Sequence, residues 1–400
     1  MPTIDSFGRD YLRLALEIDR HVPGYIDAYY GPAEVREDVQ SSPPRAPRAL
    51  LDDVNRLRDA VPQQDVARAT WLAAALRAME TTIRLAAGET FDYLQEVYLL
   101  YDIHPALVPE SLFEAAHRQL DGALPEQHGA SLGDRLEMWR KQFVVPPDQA
   151  LALLELARGE TRQRTTAMVD LPAGESVELR LVSGQPWGAY NWFLGNGRSL
   201  IEFNTDIPLQ ATALLGTFAH EGYPGHHTEA ILKEASLYHE RGYVEPAAVL
   251  LHSPWAVTAE GIATTALDMI FPNGSHYDWN VEVLLPAAGL PAEPGLANRM
   301  RQIGAAAEAY RYVSANAAIL YHTGQLDREG ALDYLQTYGL ATAERAAKSF
   351  SFFTHPLYRS YPFTYTVGHD LIAATPDPTA TFHRLLTEQI LPSQLAAARE

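Results

Sequence analysis

Residues 218–230 read FAHEGYPGHHTEA, and the way the chain carries these histidines and glutamates past a proline and two glycines decides what kind of fold surrounds them. A helix turns by about 100° per residue, which brings positions three, four and seven apart onto one face. His220 and His226 are six apart and stand roughly 240° out of phase on an ideal helix, whereas His227, seven from His220, is nearly aligned with it. Pro224 has no amide hydrogen for the carbonyl of His220 and drives Tyr223 out of the helical region. The helix must therefore bend or bulge. A bulge, with Gly225 permitting the unusual backbone, returns His226 to the face of His220. Spacing leaves His226 and His227 both open as the partner of His220.

The lead-in ALLGTFA, 213–219, is apolar, so the cluster reads as partly buried rather than as a solvated turn. The chain has no cysteine, so any metal is held by His, Asp or Glu. A third ligand is expected downstream at Glu260, in WAVTAEGIATTALDMIF (255–271), where a carboxylate sits on a helix amid apolar neighbours. Such a group is costly to bury unless it is paired or binds a cation. Two imidazoles and one carboxylate leave a coordination position open for water, the arrangement of catalytic zinc. Glu221, next to His220, is then the general base for that water.

Outward from this segment, composition narrows the function classes. Apolar residues make up 47% of the 400 and charged residues 20%, the balance of a soluble globular chain rather than a disordered one. The formal net charge is −19 and no Lys/Arg-rich block occurs, which argues against a nucleic-acid partner. No apolar run approaches the ~20 residues of a membrane span, and the N-terminus lacks the pattern of a secretory signal; the expectation is a cytoplasmic protein with no membrane partner.

Phe7, Tyr11, Leu14, Ala15, Ile18 and Val22 recur at helical spacing after Ser6, a candidate cap. Leu72, Leu76, Met79 and Ile83 form a second stripe that stops at Gly88, and 109–122, 132–143 and 148–169 also read as helices. SSPPRAPRA, 41–49, is the most linker-like stretch. Near residue 175 the period changes to two: Val177, Leu179 and Leu181 alternate with Glu178 and Arg180, and Asn196-Gly197 is the dipeptide of a tight hairpin. GNGRS, 195–199, is that turn rather than a phosphate loop, because no Lys-Ser/Thr follows. The expected fold is mainly α: a large helical body with a deep cleft and one small antiparallel β-sheet preceding the metal-binding helix. Residues 1–174 form its N-terminal helical region and 175–400 its catalytic region, within one continuous unit.

HEGYPGH at 220–226 resembles the His-Glu-x-x-Pro-Gly-His motif of the bacterial domain-of-unknown-function 885 family, relatives of the zincin-like zinc metallopeptidases. SLIEFNTD (199–206), AEGIA (259–263), YTVG (365–368) and FHRLLTEQILP (382–392) are similar to further segments of that family, so the likeness runs over roughly 175–395. The resemblance implies one zinc ion on His220, His226 and Glu260, with Glu221 as base and His227 outside the ligand set. It also singles out Tyr365, ahead of Tyr361, as donor to the oxyanion of a tetrahedral intermediate. The expected function is a zinc-dependent hydrolase, a metallopeptidase trimming short peptides, with an extended substrate paired along the strand Ser199–Asn204. A hydrolase of small non-peptide amides and a metal-binding protein without catalysis are the alternatives; the presence of Glu221 counts against the last.

Overall fold

Helices carry most of residues 4–398, which this computed structural model describes. The first, Ser6–Asp19, is capped by Asp5, whose carboxylate accepts from the Gly8 N–H at 2.7 Å, one residue before the cap expected. It buries the predicted stripe from Phe7 to Ile18. Val66–Ala86 buries Leu72, Leu76, Met79 and Ile83 and gives way to Gly88 at a φ of +85°, a left-handed conformation that favours glycine. The linker-like stretch is a short connection between helices Ala33–Ser41 and Leu51–Asp59, pinned by an ion pair from Arg45 to Asp53.

Buried apolar side chains gather, among the described residues, in three clusters, and one helix reaches all of them. Pro254–Ile270, here the Glu260 helix, sends Trp255 into the cluster of the N-terminal helices with Leu12 and Leu76. Its Val257 and Ile262 join Val97 and Phe363, and its Ile270 joins Leu215 and Phe218. Each fully buried side chain of this kind stabilises the fold by about 1.5–3 kcal/mol. The helix is therefore anchored from three sides, and Glu260 has little freedom to move. Pro362–Ala373, the tyrosine helix, crosses it at a pair of glycines. A Cβ on Gly261 would lie 2.7 Å from the carbonyl oxygen of Gly368, and one on Gly368 would collide with the carbonyl of Val257. Only this close crossing brings the tyrosines of the second helix over the carboxylate of the first.

The strands form two small sheets. β1 (Ile26–Tyr29) pairs antiparallel with β5 (Ala248–Leu250), joining the N-terminal segment to the approach of the Glu260 helix. β2 (Ser176–Val182), β3 (Ala189–Gly195) and β4 (Arg198–Asn204) make the other. As expected, β3 and β4 are an antiparallel hairpin whose Asn196 and Gly197 both take positive φ, +54° and +69°. β2, however, lies parallel to β4 on its far side, so the sheet is mixed and its order is β2-β4-β3. The crossover loop is held by Asn204, whose amide donates to the carbonyls of Gln185 and Trp187, and by Asp206, which accepts from the Gly184 N–H. With β4 in the centre, both its edges are occupied, and the expected substrate pairing along Ser199–Asn204 is not available. The outer strands are β2 and β3, and of these β3 lines the cavity. No described helix is long and apolar enough to cross a membrane.

Candidate metal centre

The helix Ala211–Glu221 buries Leu214, Leu215 and Phe218 and leaves His220 in its last turn. The chain neither bends nor bulges through Pro224, as the spacing suggested; the helix stops and a second one, His226–Lys233, starts. Gly222, Tyr223, Pro224 and Gly225 form the turn between them, tied back by the Gly225 N–H to the carbonyl of Ala219 at 3.0 Å. A Cβ on Gly225 would collide with the carbonyl oxygen of His220, so only glycine allows the return. The outcome places the rings of His220 and His226 4.8 Å apart and nearly perpendicular.

His227 goes elsewhere. It is fully buried, with Nδ1 2.8 Å from Ser199 Oγ and Nε2 3.0 Å from Glu175 Oε2. Glu175 also accepts from the Tyr223 hydroxyl and pairs with Arg162. Although burial opposes its charge, the bonds from His227, Tyr223 and Arg162 hold its carboxyl down to about 2. This network ties the turn to the base of β2 and β4, and it leaves His226 facing the cavity.

His220, His226 and Glu260 each offer a ligand atom, and these atoms lie within 4.8 Å of one another. His220 Nε2 is 3.5 Å and His226 Nε2 3.7 Å from Glu260 Oε2. Both separations are longer than a good hydrogen bond, and the three groups leave room for a cation between them. Glu260 is only 5% exposed; its Oε1 accepts from the Tyr361 hydroxyl at 2.8 Å, whereas its buried Oε2 has no hydrogen-bond partner. An orphaned carboxylate oxygen facing two imidazole nitrogens is the donor set a divalent cation would satisfy.

Glu221 shares this cavity. Burial pushes its carboxyl up to about 7; His226 opposes the rise, and Glu260 and Asp27 add to it. Its backbone carbonyl accepts from the side-chain amide of Asn191 on β3 at 2.5 Å, which fixes the end of the helix against the sheet. Burial pulls His220 down to about 4, with His226 contributing. For His226 burial acts in the same direction, but the Glu260 carboxylate outweighs it and holds the imidazole at about 9.

The cavity has a volume of about 670 Å³ and is lined by His220, Glu221, His226 and Glu260, by Tyr361 and Tyr365, and by β3 from Ala189 to Asn191. That is room for a short peptide or another small substrate rather than a folded protein. Tyr365 packs edge-on against Tyr361, and its hydroxyl hydrogen-bonds to no described residue. Tyr361 is committed to Glu260. No local pattern marks Tyr361 as the partner of Glu260, nor assigns Asn191, Glu175 or Asp27, which lies on β1 and also lines the cavity. Each reaches the site by long-range folding.

Neither a family model nor a curated protein matches the chain. Among solved structures it is similar in fold to the "putative lipoprotein from Colwellia psychrerythraea", with a TM-score of 0.53 at 13% identity, over 97% of this chain and 69% of that one. Weaker likenesses are to a carboxypeptidase of Pyrococcus furiosus, TM-score 0.43 at 10% identity over 100% and 90% of the two chains, and to an M32 carboxypeptidase of Deinococcus radiodurans R1, TM-score 0.34 at 14% identity over 95% and 88%.

Proposed function

We propose that the chain is a zinc-dependent metallopeptidase acting on short peptides, with His220, His226 and Glu260 as the ligands. One observation carries this reading: the partnerless Oε2 of Glu260 faces both imidazoles inside a cavity that also holds the Glu221 carboxyl. The resemblance of HEGYPGH to the domain-of-unknown-function 885 family supports the same assignment. A zinc ion held there supplies Lewis acidity, polarising an amide carbonyl and lowering the pKa of water to about 7.

The chain's own residues do the rest. Glu221 takes the proton of the attacking water and returns it to the amine nitrogen as the C–N bond breaks. Tyr361 holds Glu260 through Oε1 and keeps Oε2 turned to the imidazoles. The free hydroxyl of Tyr365 donates to the oxyanion. The outer edge of β3, in place of β4, offers backbone groups to an extended substrate.

A mass-spectrometric screen of short peptides against the zinc-loaded protein tests the reading. Cleavage at peptide bonds is expected. Hydrolysis confined to small non-peptide amides would make it an amidohydrolase of another class, and no product from either, with zinc bound, would leave a metal-binding protein without catalysis.

The two tyrosines are expected to separate. Tyr365→Phe deletes only the hydroxyl and should lower kcat by ~10²-fold with KM and zinc affinity little changed. Tyr361→Phe frees the second oxygen of Glu260 and should weaken zinc binding by ~10–100-fold, with turnover largely restored at saturating zinc. Zinc titrations beside steady-state kinetics distinguish them; the reverse pattern would exchange their roles.

A further inference from the structure

Besides Glu221 and Glu260, the carboxylates lining the cavity are Asp27 and Glu229. Glu229 is spoken for: its Oε1 accepts from Lys233 Nζ and from Trp255 Nε1, both at 2.5 Å. Asp27 forms no ion pair at contact distance among the described residues; the charge of His226 acts on it from farther off. The Tyr190 hydroxyl donates to its Oδ1, and no described residue bonds to Oδ2.

Its place in the backbone is unusual. β1 pairs Ile26 with Leu250 and Ala28 with Val249, so two steps on β1 match one on β5 and Asp27 is the extra residue of a bulge. Bulges re-aim side chains, and they recur next to active sites. Here the bulged residue lines the cavity wall. Aromatic residues share the lining with it. Tyr190 and Trp187, stacked at 5.5 Å, line the same cavity, as do Tyr358, Tyr361 and Tyr365. After burial, the charge of Asp27 is among the causes that raise the pKa of these last three hydroxyls, which places them within its field. A carboxylate with one oxygen unbonded, in a cavity lined by aromatic side chains, can receive a cation through charge-assisted hydrogen bonds and cation–π contacts.

We propose that Asp27 is the specificity residue of this cavity and binds a primary ammonium group of the substrate, the α-amine of a short peptide or a lysine side chain. The proposal rests on the peptidase reading for the reaction, but the binding it describes does not require turnover. Lys348 and Arg345 are the cavity's cationic residues apart from its histidines; neither pairs with Asp27, and Arg345 is already paired with Glu137. Of the cavity's cations, His226 is the one whose charge acts on Asp27, and it is already engaged by Glu260.

Binding is measured by calorimetry on Glu221→Gln protein, which removes cleavage from the assay. Three peptide amides are compared: one with a free N-terminus and no lysine, its N-acetylated twin, and an acetylated peptide containing lysine. A charge-assisted contact in a water-poor site predicts that the free-amine or the lysine peptide binds about 10²-fold more tightly than the neutral one. Which of the two gains identifies the source of the ammonium. In Asp27→Asn that preference should vanish while the affinity of the neutral peptide is unchanged. Tyr190→Phe, which removes only the hydroxyl that orients Asp27, should reduce it severalfold and serves if Asp27→Asn does not fold. Equal affinity for all three peptides, binding of none, or a preference that survives Asp27→Asn would overturn the proposal. An ammonium preference without peptide hydrolysis by the wild type would instead count against the peptidase reading alone.

Discussion

Glu221→Gln is expected to retain zinc and lose peptide hydrolysis by ~10³-fold or more, within the range a positioned general base supplies. The substitution keeps the shape of the side chain and its capacity for hydrogen bonds, but an amide does not accept a proton from water. The fold around it should not change: the Asn191 side-chain amide bonds to the backbone carbonyl of Glu221, which is untouched, and the oxygen of Gln can still accept from the Asn191 backbone N–H that the carboxylate now meets. The wild-type carboxyl suits a general base, since burial pushes it up to about 7, where it can both take and return a proton near neutrality. Zinc content by mass spectrometry and single-turnover kinetics on one peptide check the two halves of the expectation. Retained hydrolysis would remove Glu221 from the mechanism. Loss of zinc together with activity would make it a ligand instead.

Replacing a ligand should have the opposite signature. In His220→Ala, His226→Ala and Glu260→Ala the zinc stoichiometry is expected to fall from about one to near zero at micromolar free zinc, and hydrolysis with it. Because a metal that binds only the folded chain stabilises it, chelation should lower the melting temperature of the wild type and leave that of each variant unchanged. His227→Ala is the informative contrast. It removes the buried partner of Ser199 and Glu175, so it should cost about 1–3 kcal/mol of stability while keeping the metal. A variant at His227 that sheds zinc, beside one at His226 that keeps it, would exchange the two residues.

That contrast also marks the limit of what the chain's pattern discloses. Angular spacing favours His227, yet the structure turns His226 to the cavity, because Gly222 to Gly225 end one helix and let another begin. Spacing rules assume one continuous helix, and a turn that folds back on the carbonyl of His220 lies outside them. Glu260 was legible because a carboxylate amid apolar neighbours on a buried helix needs a partner. Its orienting partner, Tyr361, was not, since its neighbour Tyr365 is equally plausible until the crossing of Gly261 and Gly368 sets the register between the two helices. The hairpin at Asn196-Gly197 follows from backbone conformation alone and was readable. The strand order was not: period-two alternation says which face of β2 is buried but not which neighbour it pairs with, and so it did not disclose that β4, flanked by β2 and β3, has no free edge. Asp27 is legible only in space, at a bulge that forms when β1 meets β5.

The most direct test of the account is anomalous scattering at the zinc edge from crystals of the purified, zinc-loaded protein. The account predicts one ion per chain, with His220 Nε2, His226 Nε2 and Glu260 Oε2 each at about 2.0–2.2 Å. An ion seated instead between His227 and Glu175, or no anomalous peak at the His220, His226 and Glu260 cluster after loading, would contradict it.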